Sequence, residues 1–265
     1  MTTAGDRRRV LVTGANGVIG KAVRQYLGDR YDLRCLTHRP APYPSFVGDI
    51  ADLEAIAPAF EGVDCVVHLA ASPDVATPWS DILPNNLIGT YNVFEAARRA
   101  SVPAVVFASS NHTIGMNEID NAPAIYALDD PRVFDHQAEP RPDSLYGVSK
   151  LFGEAIARYY VDRYGMRAVC LRIGTVRDDD RPGAPEVYGA VPALVDFLTE
   201  EQRRERLRAT WLSRRDCAQL IARAIDADDV PWAVVYGISN NPRQFWDLEH
   251  ARRTLGYEPE DSAPV

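Results

Sequence analysis

A glycine-rich turn near the N-terminus constrains this chain more than any other feature. Residues 9–13 form an apolar run typical of a strand, and glycines recur at positions 14, 17 and 20, where a helix should begin. In such a unit the glycines permit a tight turn, close backbone approach to a pyrophosphate, and close packing of helix on strand. The helix N-terminus offers free N–H groups to the phosphates. The residues expected against a dinucleotide are Gly14, Asn16, Gly17, Val18, Ile19 and Gly20.

Strand-like and helix-like runs alternate along the chain after this turn, which is typical of a parallel sheet with helices on both faces. We predict a single α/β domain over residues 1–265: a Rossmann-type doubly wound parallel sheet with a small C-terminal substrate-binding lobe formed by about residues 174–215 and 239–265. The predicted strands are 9–13, 33–37, 46–47, 63–69, 104–109, 167–173 and 234–238. The predicted helices are 17–27, 52–60, 82–100, 145–164, 191–198, 216–227 and 246–255, with loops over 115–143 and 178–185.

The composition argues against several classes of protein. Lys and Arg total 29 against 37 Asp and Glu, and the net charge of −8 disfavours nonspecific nucleic-acid binding. No apolar run approaches the roughly 20 residues that span a bilayer, and the polar first residues do not resemble a signal peptide. The four cysteines lack metal-ligand spacing, so we expect no metal site, and reduced core thiols in the cytoplasm.

Tyr146 and Lys150 form a Y-x-x-x-K pair on the predicted helix 145–164. Four residues are about one helical turn, so both side chains lie on one face. A free tyrosine has a pKa of about 10 and is a poor base at neutral pH, whereas a nearby ammonium stabilises the phenolate. Tyr146 can then remove a hydroxyl proton while hydride leaves the same carbon, which predicts an oxidoreductase.

The second predicted strand ends at Thr37, His38 and Arg39, where the ribose of the cofactor should lie. An acidic residue here would bind the ribose diol of NAD and would repel the 2′-phosphate of NADP. This chain has Thr37 in that place and Arg39 and Arg34 nearby, which favours NADP. The other interpretation, a solvent-facing Arg39 beside bound NAD, stays open, so the expected cofactor is NAD(P).

The G-x-x-G-x-x-G spacing of the turn resembles the extended branch of the short-chain dehydrogenase/reductase superfamily. The resemblance implies a catalytic set of Ser110, Tyr146 and Lys150, with Ser110 in the place of the hydroxyl that hydrogen-bonds the reacting oxygen. Further cofactor contacts implied by the resemblance are Asp49, Ile50, Leu69, Ala70, Ala71, Asn86, Tyr146, Lys150 and Ile173.

Several segments are more specific and resemble the uronate dehydrogenases of that branch. They are residues 107–115, 141–150, 171–174, 209–213 and 234–237. Those enzymes oxidise C1 of galacturonate or glucuronate to the aldarolactone by hydride transfer to the cofactor. The substrate contacts implied by the resemblance are Ser72, Ser110, Asn111, His112, Tyr146, Thr175 and Arg206.

Arg206 falls where these enzymes place the arginine that binds the sugar carboxylate. A guanidinium binds a carboxylate through two parallel hydrogen bonds. Arg208 is the alternative in the same arginine-rich run, and the register with Trp211 favours Arg206. The chain departs from the uronate enzymes in a longer stretch over 177–204 and in Thr37, which replaces an acidic residue.

Other functions stay open on the sequence alone. A sugar epimerase, dehydratase or reductase would use the same scaffold, and a non-catalytic dinucleotide sensor would lack the tyrosine–lysine pair that this chain keeps. The branch also implies a homo-oligomer that pairs through helices 82–100 and 145–164. The preferred sugar, the direction of the reaction and the number of subunits are left undetermined.

Overall fold

Among the residues that the structure describes, seven parallel strands form one sheet in the order β3-β2-β1-β4-β5-β6-β7. The computed structural model describes residues 7–182 and 196–264. The strand order changes direction between β1 and β4, and such a switch point opens a crevice at the carboxyl ends of the strands. This arrangement confirms the predicted Rossmann-type fold. The strands are β1 (Arg9–Thr13), β2 (Asp32–Thr37), β3 (Phe46–Val47), β4 (Cys65–His68), β5 (Ala104–Ser110), β6 (Arg167–Ile173) and β7 (Trp232–Gly237).

Helices cover both faces of the sheet and enclose two apolar clusters. Alternate side chains of a strand point to opposite faces, so Val10 and Val12 join one cluster and Leu11 joins the other. Helices α1 and α8 pack over the first cluster, and α4 and α6 pack over the second. The helices are α1 (Val18–Leu27), α2 (Leu53–Ile56), α3 (Trp79–Asp81), α4 (Gly89–Arg99), α5 (Gly115–Ile119), α6 (Leu145–Tyr164), α7 (Glu200–Thr210), α8 (Arg214–Asp226) and α9 (Glu249–Leu255).

The helix predicted over residues 82–100 is present but irregular. Helical backbone runs from α3 through α4, and the stretch Ile82–Ile88 between them has the wider π geometry. Pro84 lies in this stretch and has no N–H to donate, so a regular α-helical hydrogen bond is lost here. Wider turns of this kind occur frequently at functional sites, and this one contains Asn86.

Two sequence-based predictions missed helical structure. The stretch 115–143 was expected to be a loop, yet it holds α5 and a 3-10 turn at Ala124–Tyr126. Helix α7 was not predicted because it is strongly charged and has no clear apolar stripe. Thr199 and Gln202 form a capping box at its start, which is the sequence signal that could have found it.

The C-terminal helix begins later than predicted. It starts at Glu249 and not at residue 246, because Trp246 forms a bridge with Phe134 and its backbone is extended there. The helix predicted over 191–198 lies mostly outside the described residues, and so does part of the loop predicted over 178–185.

The two predicted lobe segments share their core with the sheet. Leu212 and Trp246 belong to the same apolar cluster as Val10 of β1. A separate substrate-binding lobe therefore stays a prediction. All four cysteines are buried and free of disulfide bonds. Across residues 7–182 and 196–264, no helix is long and apolar enough to cross a bilayer.

A buried ion pair joins α6 to β6 close to the end of β5. Arg172 donates through Nε and Nη2 to the two carboxylate oxygens of Glu154, at 2.9 Å each. Ser109 also donates to Glu154, at 2.6 Å, and Arg172 donates to the Tyr236 hydroxyl at 3.0 Å. The side chains of the charged pair are only 4% and 7% exposed, so the loss of one partner leaves a buried charge without compensation.

We expect Glu154→Ala to lower the free energy of unfolding by about 3–5 kcal/mol, because Arg172 would keep its charge in the core. Asp162→Ala on the same helix breaks an exposed pair with Arg158 and should change that free energy by about 0.5 kcal/mol or less. Urea denaturation of both variants measures the difference. Equal losses in the two variants would contradict the role assigned to the buried pair.

Candidate active site

A cavity of about 740 Å³ opens at the carboxyl ends of the strands and runs from the glycine turn to the serine pair that ends β5. The predicted site residues that line it are Gly14, Asn16, Gly17, Val18, Ile19, Gly20, Thr37, His38, Arg39, Asp49, Ile50, Leu69, Ala70, Ala71, Ser72, Ser110, Asn111, His112, Tyr146, Lys150, Ile173 and Thr175. The lining residues that are not predicted from the sequence are Leu36, Gly48, Pro73, Asn85, Ala108, Ser109, Gly174 and Val176. They flank predicted residues on the same strand ends and loops.

The glycine turn is shaped for close backbone approach. Gly14 has a φ of +68°, and a Cβ there would lie 2.7 Å from the backbone nitrogen of Ala70. A Cβ on Gly20 would lie 2.6 Å from the Gly14 carbonyl oxygen. Helix α1 begins after Gly17 without a side-chain cap, so the N–H groups of its first turn can bind a phosphate. The turn therefore fits the pyrophosphate of a dinucleotide.

The cavity wall at the end of β2 carries the charged side chains of Arg39 and Asp49. Arg39 is exposed at its edge, and the ring of His38 lies 3.9 Å from the carboxylate of Asp49. Thr37 is buried and donates a hydrogen bond to the Ser45 hydroxyl at 3.3 Å. The end of β2 therefore presents a guanidinium to this part of the cavity.

Ser110, Tyr146 and Lys150 meet at the other end of the cavity and are almost fully buried. Tyr146 is hydrogen-bonded to Ser110, and Lys150 Nζ donates to the Ala108 carbonyl oxygen at 2.8 Å. The ammonium of Lys150 lies 5.6 Å from the centre of the Tyr146 ring. Burial lowers the pKa of Lys150 to about 8 and raises the pKa of Tyr146 to about 12, while the Ser110 hydrogen bond acts in the opposite direction on Tyr146. Tyr146 can exchange a proton with the hydroxyl of a bound ligand once a nearby positive charge stabilises its phenolate.

The start of α6 is fixed by close contacts with the turn after β5. Ser144 caps the helix by accepting a hydrogen bond from the backbone N–H of Gly147 at 3.1 Å. A Cβ on Gly147 would lie 2.4 Å from the carbonyl oxygen of His112, so only glycine permits this approach. Tyr146 is thereby held beside the residues that follow Ser110.

Asp143 orients His112, a contact that the sequence does not predict. His112 Nδ1 lies 2.6 Å from Asp143 Oδ2, and Ser144 donates to the other carboxylate oxygen at 2.8 Å. The Asp143 side chain is only 4% exposed. A carboxylate accepts hydrogen bonds, so Nδ1 of His112 donates to Asp143. The signal in the sequence was the position of Asp143 immediately before the Ser144 cap.

Asn86, a predicted cofactor contact, is not among the residues that line the cavity. Its side chain is buried, accepts from the Ser72 backbone N–H at 2.8 Å and donates to the Ser149 hydroxyl at 2.9 Å. Ser149 in turn donates to the Tyr146 carbonyl oxygen at 2.7 Å. Asn86 therefore ties the loop that carries Ser72 to the helix that carries Tyr146.

Arg206 also lies outside the residues that line the cavity. Its Nε donates to Glu118 Oε1 at 2.5 Å and its Nη2 donates to Oε2 at 3.3 Å. Tyr126 donates to the same Glu118 carboxylate at 2.9 Å. The alternative arginine, Arg208, lies 3.7 Å from Glu201 and is more exposed. The guanidinium expected to meet a substrate carboxylate thus meets a carboxylate of the chain.

Fold and cavity together define a dinucleotide-binding α/β protein, and sequence comparison gives its family. Residues 10–237 match the NAD dependent epimerase/dehydratase family, so the chain belongs to it. This confirms the family expected from the glycine turn, and with it the nicotinamide cofactor class. In the part of the chain that the structure describes, no group of three or more His, Cys, Asp or Glu side chains could hold a metal ion.

Three similar proteins span nearly the whole chain. An L-arabinose 1-dehydrogenase (NAD(P)(+)) of Haloferax volcanii is 40% identical over 96% of this chain and 97% of that protein. A NAD-dependent glucose-6-phosphate dehydrogenase of the same organism is 37% identical over 96% of this chain and 94% of that protein. The crystal structure of a mutant uronate dehydrogenase from Agrobacterium tumefaciens, complexed with NAD, is 32% identical with a TM-score of 0.76, covering 97% of this chain and 86% of that one.

We expect the His112 imidazole to carry a proton on Nδ1 and Asp143→Asn to shift part of the population to the Nε2–H tautomer, because the charged acceptor is lost. Nitrogen-15 NMR of histidine-labelled protein measures this, with the exposed His38 as an internal reference. An unprotonated Nδ1 in the unsubstituted protein would contradict the assigned pair.

Proposed function

We propose that the chain is a NAD(P)-dependent dehydrogenase that oxidises the C1 hydroxyl of a hexuronic acid, galacturonate or glucuronate, to the aldarolactone. The observation that carries this proposal is the buried group of Ser110, Tyr146 and Lys150 at one end of a cavity whose other end is the glycine turn. The similarity to named sugar dehydrogenases over nearly the whole chain supports it.

In this proposal Tyr146 removes the proton of the C1 hydroxyl. The Lys150 ammonium, 5.6 Å from the ring centre, stabilises the phenolate that acts as base. Ser110 hydrogen-bonds the same substrate oxygen and so holds C1 in position. A bound nicotinamide supplies the acceptor for the hydride from C1. The pKa of Lys150 at about 8 keeps its charge at neutral pH.

The sugar ring is held, in the same proposal, by polar side chains around the catalytic group. Asn111 and His112 hydrogen-bond ring hydroxyls, with His112 fixed by Asp143. Ser72 and Thr175 lie on the facing wall of the cavity and complete the polar contacts. Such converging polar groups in a cavity set the orientation of a small ligand.

We propose that the cofactor lies along the glycine turn with its adenosine ribose beside Arg39. Asp49 and Ile50 flank the adenine, and residues 69–71 and Ile173 flank the nicotinamide half. Arg39 attracts a 2′-phosphate, and Thr37 stands where an acidic residue would repel that phosphate. NADP is therefore accepted as well as NAD. Four buried thiols fit a reducing cytoplasm, where we place the protein.

A panel of free sugars tests the function. The purified protein is incubated with galacturonate, glucuronate, galactose or UDP-galacturonate and with excess NAD⁺ or NADP⁺, and absorbance of reduced cofactor is followed. We expect net reduction with a free uronate, lost by a factor of about 10² or more in Tyr146→Phe because the base is removed. An epimerase or dehydratase would give product without net reduced cofactor, and a sensor would give neither. Either result would refute the proposal.

We expect Arg39→Ala to raise the KM for NADP⁺ about tenfold and to leave the KM for NAD⁺ nearly unchanged, because the guanidinium contacts only the 2′-phosphate. Steady-state kinetics with each cofactor measure the two constants. Arg34→Ala is the matched control, since Arg34 donates to the Glu61 carbonyl oxygen away from the ribose site. An equal change in both KM values would show that Arg39 does not read the phosphate.

We also propose a homodimer that packs α4 and α6 against their copies. Large apolar side chains are exposed on this side of the molecule, among them Tyr91 at 45%, Leu145 at 45% and Val148 at 44%. A second copy would remove this surface from water.

Analytical ultracentrifugation at micromolar concentration tests the dimer. We expect a dimer for the unsubstituted protein and a monomer for Tyr91→Glu, because a charge would be buried in the interface. Tyr26→Glu is the control, since Tyr26 is exposed at 42% on α1, away from these helices. A monomeric unsubstituted protein would contradict the proposed homodimer.

A further inference from the structure

The stretch Ile82–Ile88 brings two consecutive asparagines to the loop that follows β4. Asn85 donates through Nδ2 to the Ser72 hydroxyl at 2.9 Å. Asn86 accepts from the Ser72 backbone N–H at 2.8 Å and donates to the Ser72 carbonyl oxygen at 3.2 Å. The backbone and the side chain of Ser72 are therefore both held by this π-helical stretch.

Asn85 differs from Asn86 because it lines the cavity, as Ser72 does. Asn85 is half-buried, whereas Asn86 is only 2% exposed. Asn86 also donates to the hydroxyl of Ser149, on the helix that carries Tyr146. The part of the wall formed by Ser72 and Asn85 is thus tied to the helix that supplies the proposed base.

The Ser72–Asn85 pair keeps one donor and one acceptor for a ligand. The Ser72 oxygen accepts from Asn85, so its own proton is available, and a serine hydroxyl both donates and accepts. Within residues 7–182 and 196–264, that proton has no acceptor and Asn85 Oδ1 has no donor. A sugar hydroxyl can use both groups. A carboxylate or phosphate dianion has no proton to donate and would face the lone pairs of Oδ1.

We propose that Asn85 is a substrate-binding residue that, together with Ser72, binds one hydroxyl of the sugar ring. The hydroxyl donates to Asn85 Oδ1 and accepts from Ser72, so two hydrogen bonds fix its position. A charged group is disfavoured here, because the amide oxygen would lose a donor and meet a negative charge. The inference rests on the proposed oxidation of a sugar, and it assigns the charged end of a uronate to another part of the cavity.

Binding of galacturonate to the NADH-loaded protein tests this inference without turnover. Calorimetry measures the Kd for the unsubstituted protein and for Asn85→Ala. We expect the variant to bind galacturonate about tenfold more weakly, because a hydrogen bond is lost, and to bind NADH with unchanged affinity. Asn240→Ala, a change of the same type at an exposed position, should leave both affinities unchanged. Thermal unfolding of the variants checks that the fold is kept.

Deoxy sugars test the contact itself. The three analogues of galacturonate that lack the hydroxyl on C2, C3 or C4 are titrated in the same way. We expect one analogue to bind the unsubstituted protein about tenfold more weakly than galacturonate, and this difference to shrink to about threefold or less in Asn85→Ala. Ser72→Ala removes the other half of the pair and should reduce the difference for the same analogue. A purely structural role of Asn85 would weaken all four sugars equally.

Four results would overturn the role of Asn85. They are equal weakening of all four sugars, unchanged sugar affinities in the variant, a loss of NADH affinity as large as the loss of sugar affinity, and no detectable binding of galacturonate by the unsubstituted protein. The proposed oxidation fails in a different way, as binding of galacturonate without reduction of NAD⁺. The comparison of deoxy sugars would then still decide on Asn85.

Discussion

The close contact between α6 and the end of β5 organises the site on which the function depends. Gly147 meets the carbonyl of His112 and Gly153 meets the ring of Phe107, at distances that leave no room for a Cβ. The helix therefore lies directly against the strand, and Tyr146 and Lys150 come within reach of Ser110. With larger residues at these two positions α6 would have to move away, and Tyr146 and Lys150 would separate from Ser110.

Buried charges are kept in place by the same contact. Lys150 has its ammonium on the Ala108 carbonyl of β5, and the Arg172–Glu154 pair ties α6 to β6 below it. Charges in a core lose their hydration, so each must be compensated by partners of fixed geometry. This compensation fixes the position of the helix, while burial lowers the pKa of Lys150 to about 8.

Much of the fold and of the cavity lining could be predicted from the sequence, because local pattern dictates both. The strands, the glycine turn and the Tyr146–Lys150 spacing each depend on neighbours within a few residues. The rest of the site depends on contacts between side chains that are far apart in the sequence. Glu118 reaches Arg206 across 88 positions, and Asp143 reaches His112 across 31. No periodicity marks such pairs, so the sequence could nominate Arg206 but could not show that a carboxylate of the chain already holds it.

The central claim is that hydride leaves C1 of a free sugar for a nicotinamide cofactor, with Tyr146 taking the proton. Galacturonate labelled with deuterium at C1 tests it most directly. The purified protein is incubated with this sugar and NAD⁺, and the reduced cofactor is analysed by mass spectrometry and proton NMR. The account predicts one deuterium at C4 of the nicotinamide and a slower rate than with unlabelled sugar. Reduced cofactor without deuterium, or no reduced cofactor at all, would contradict it.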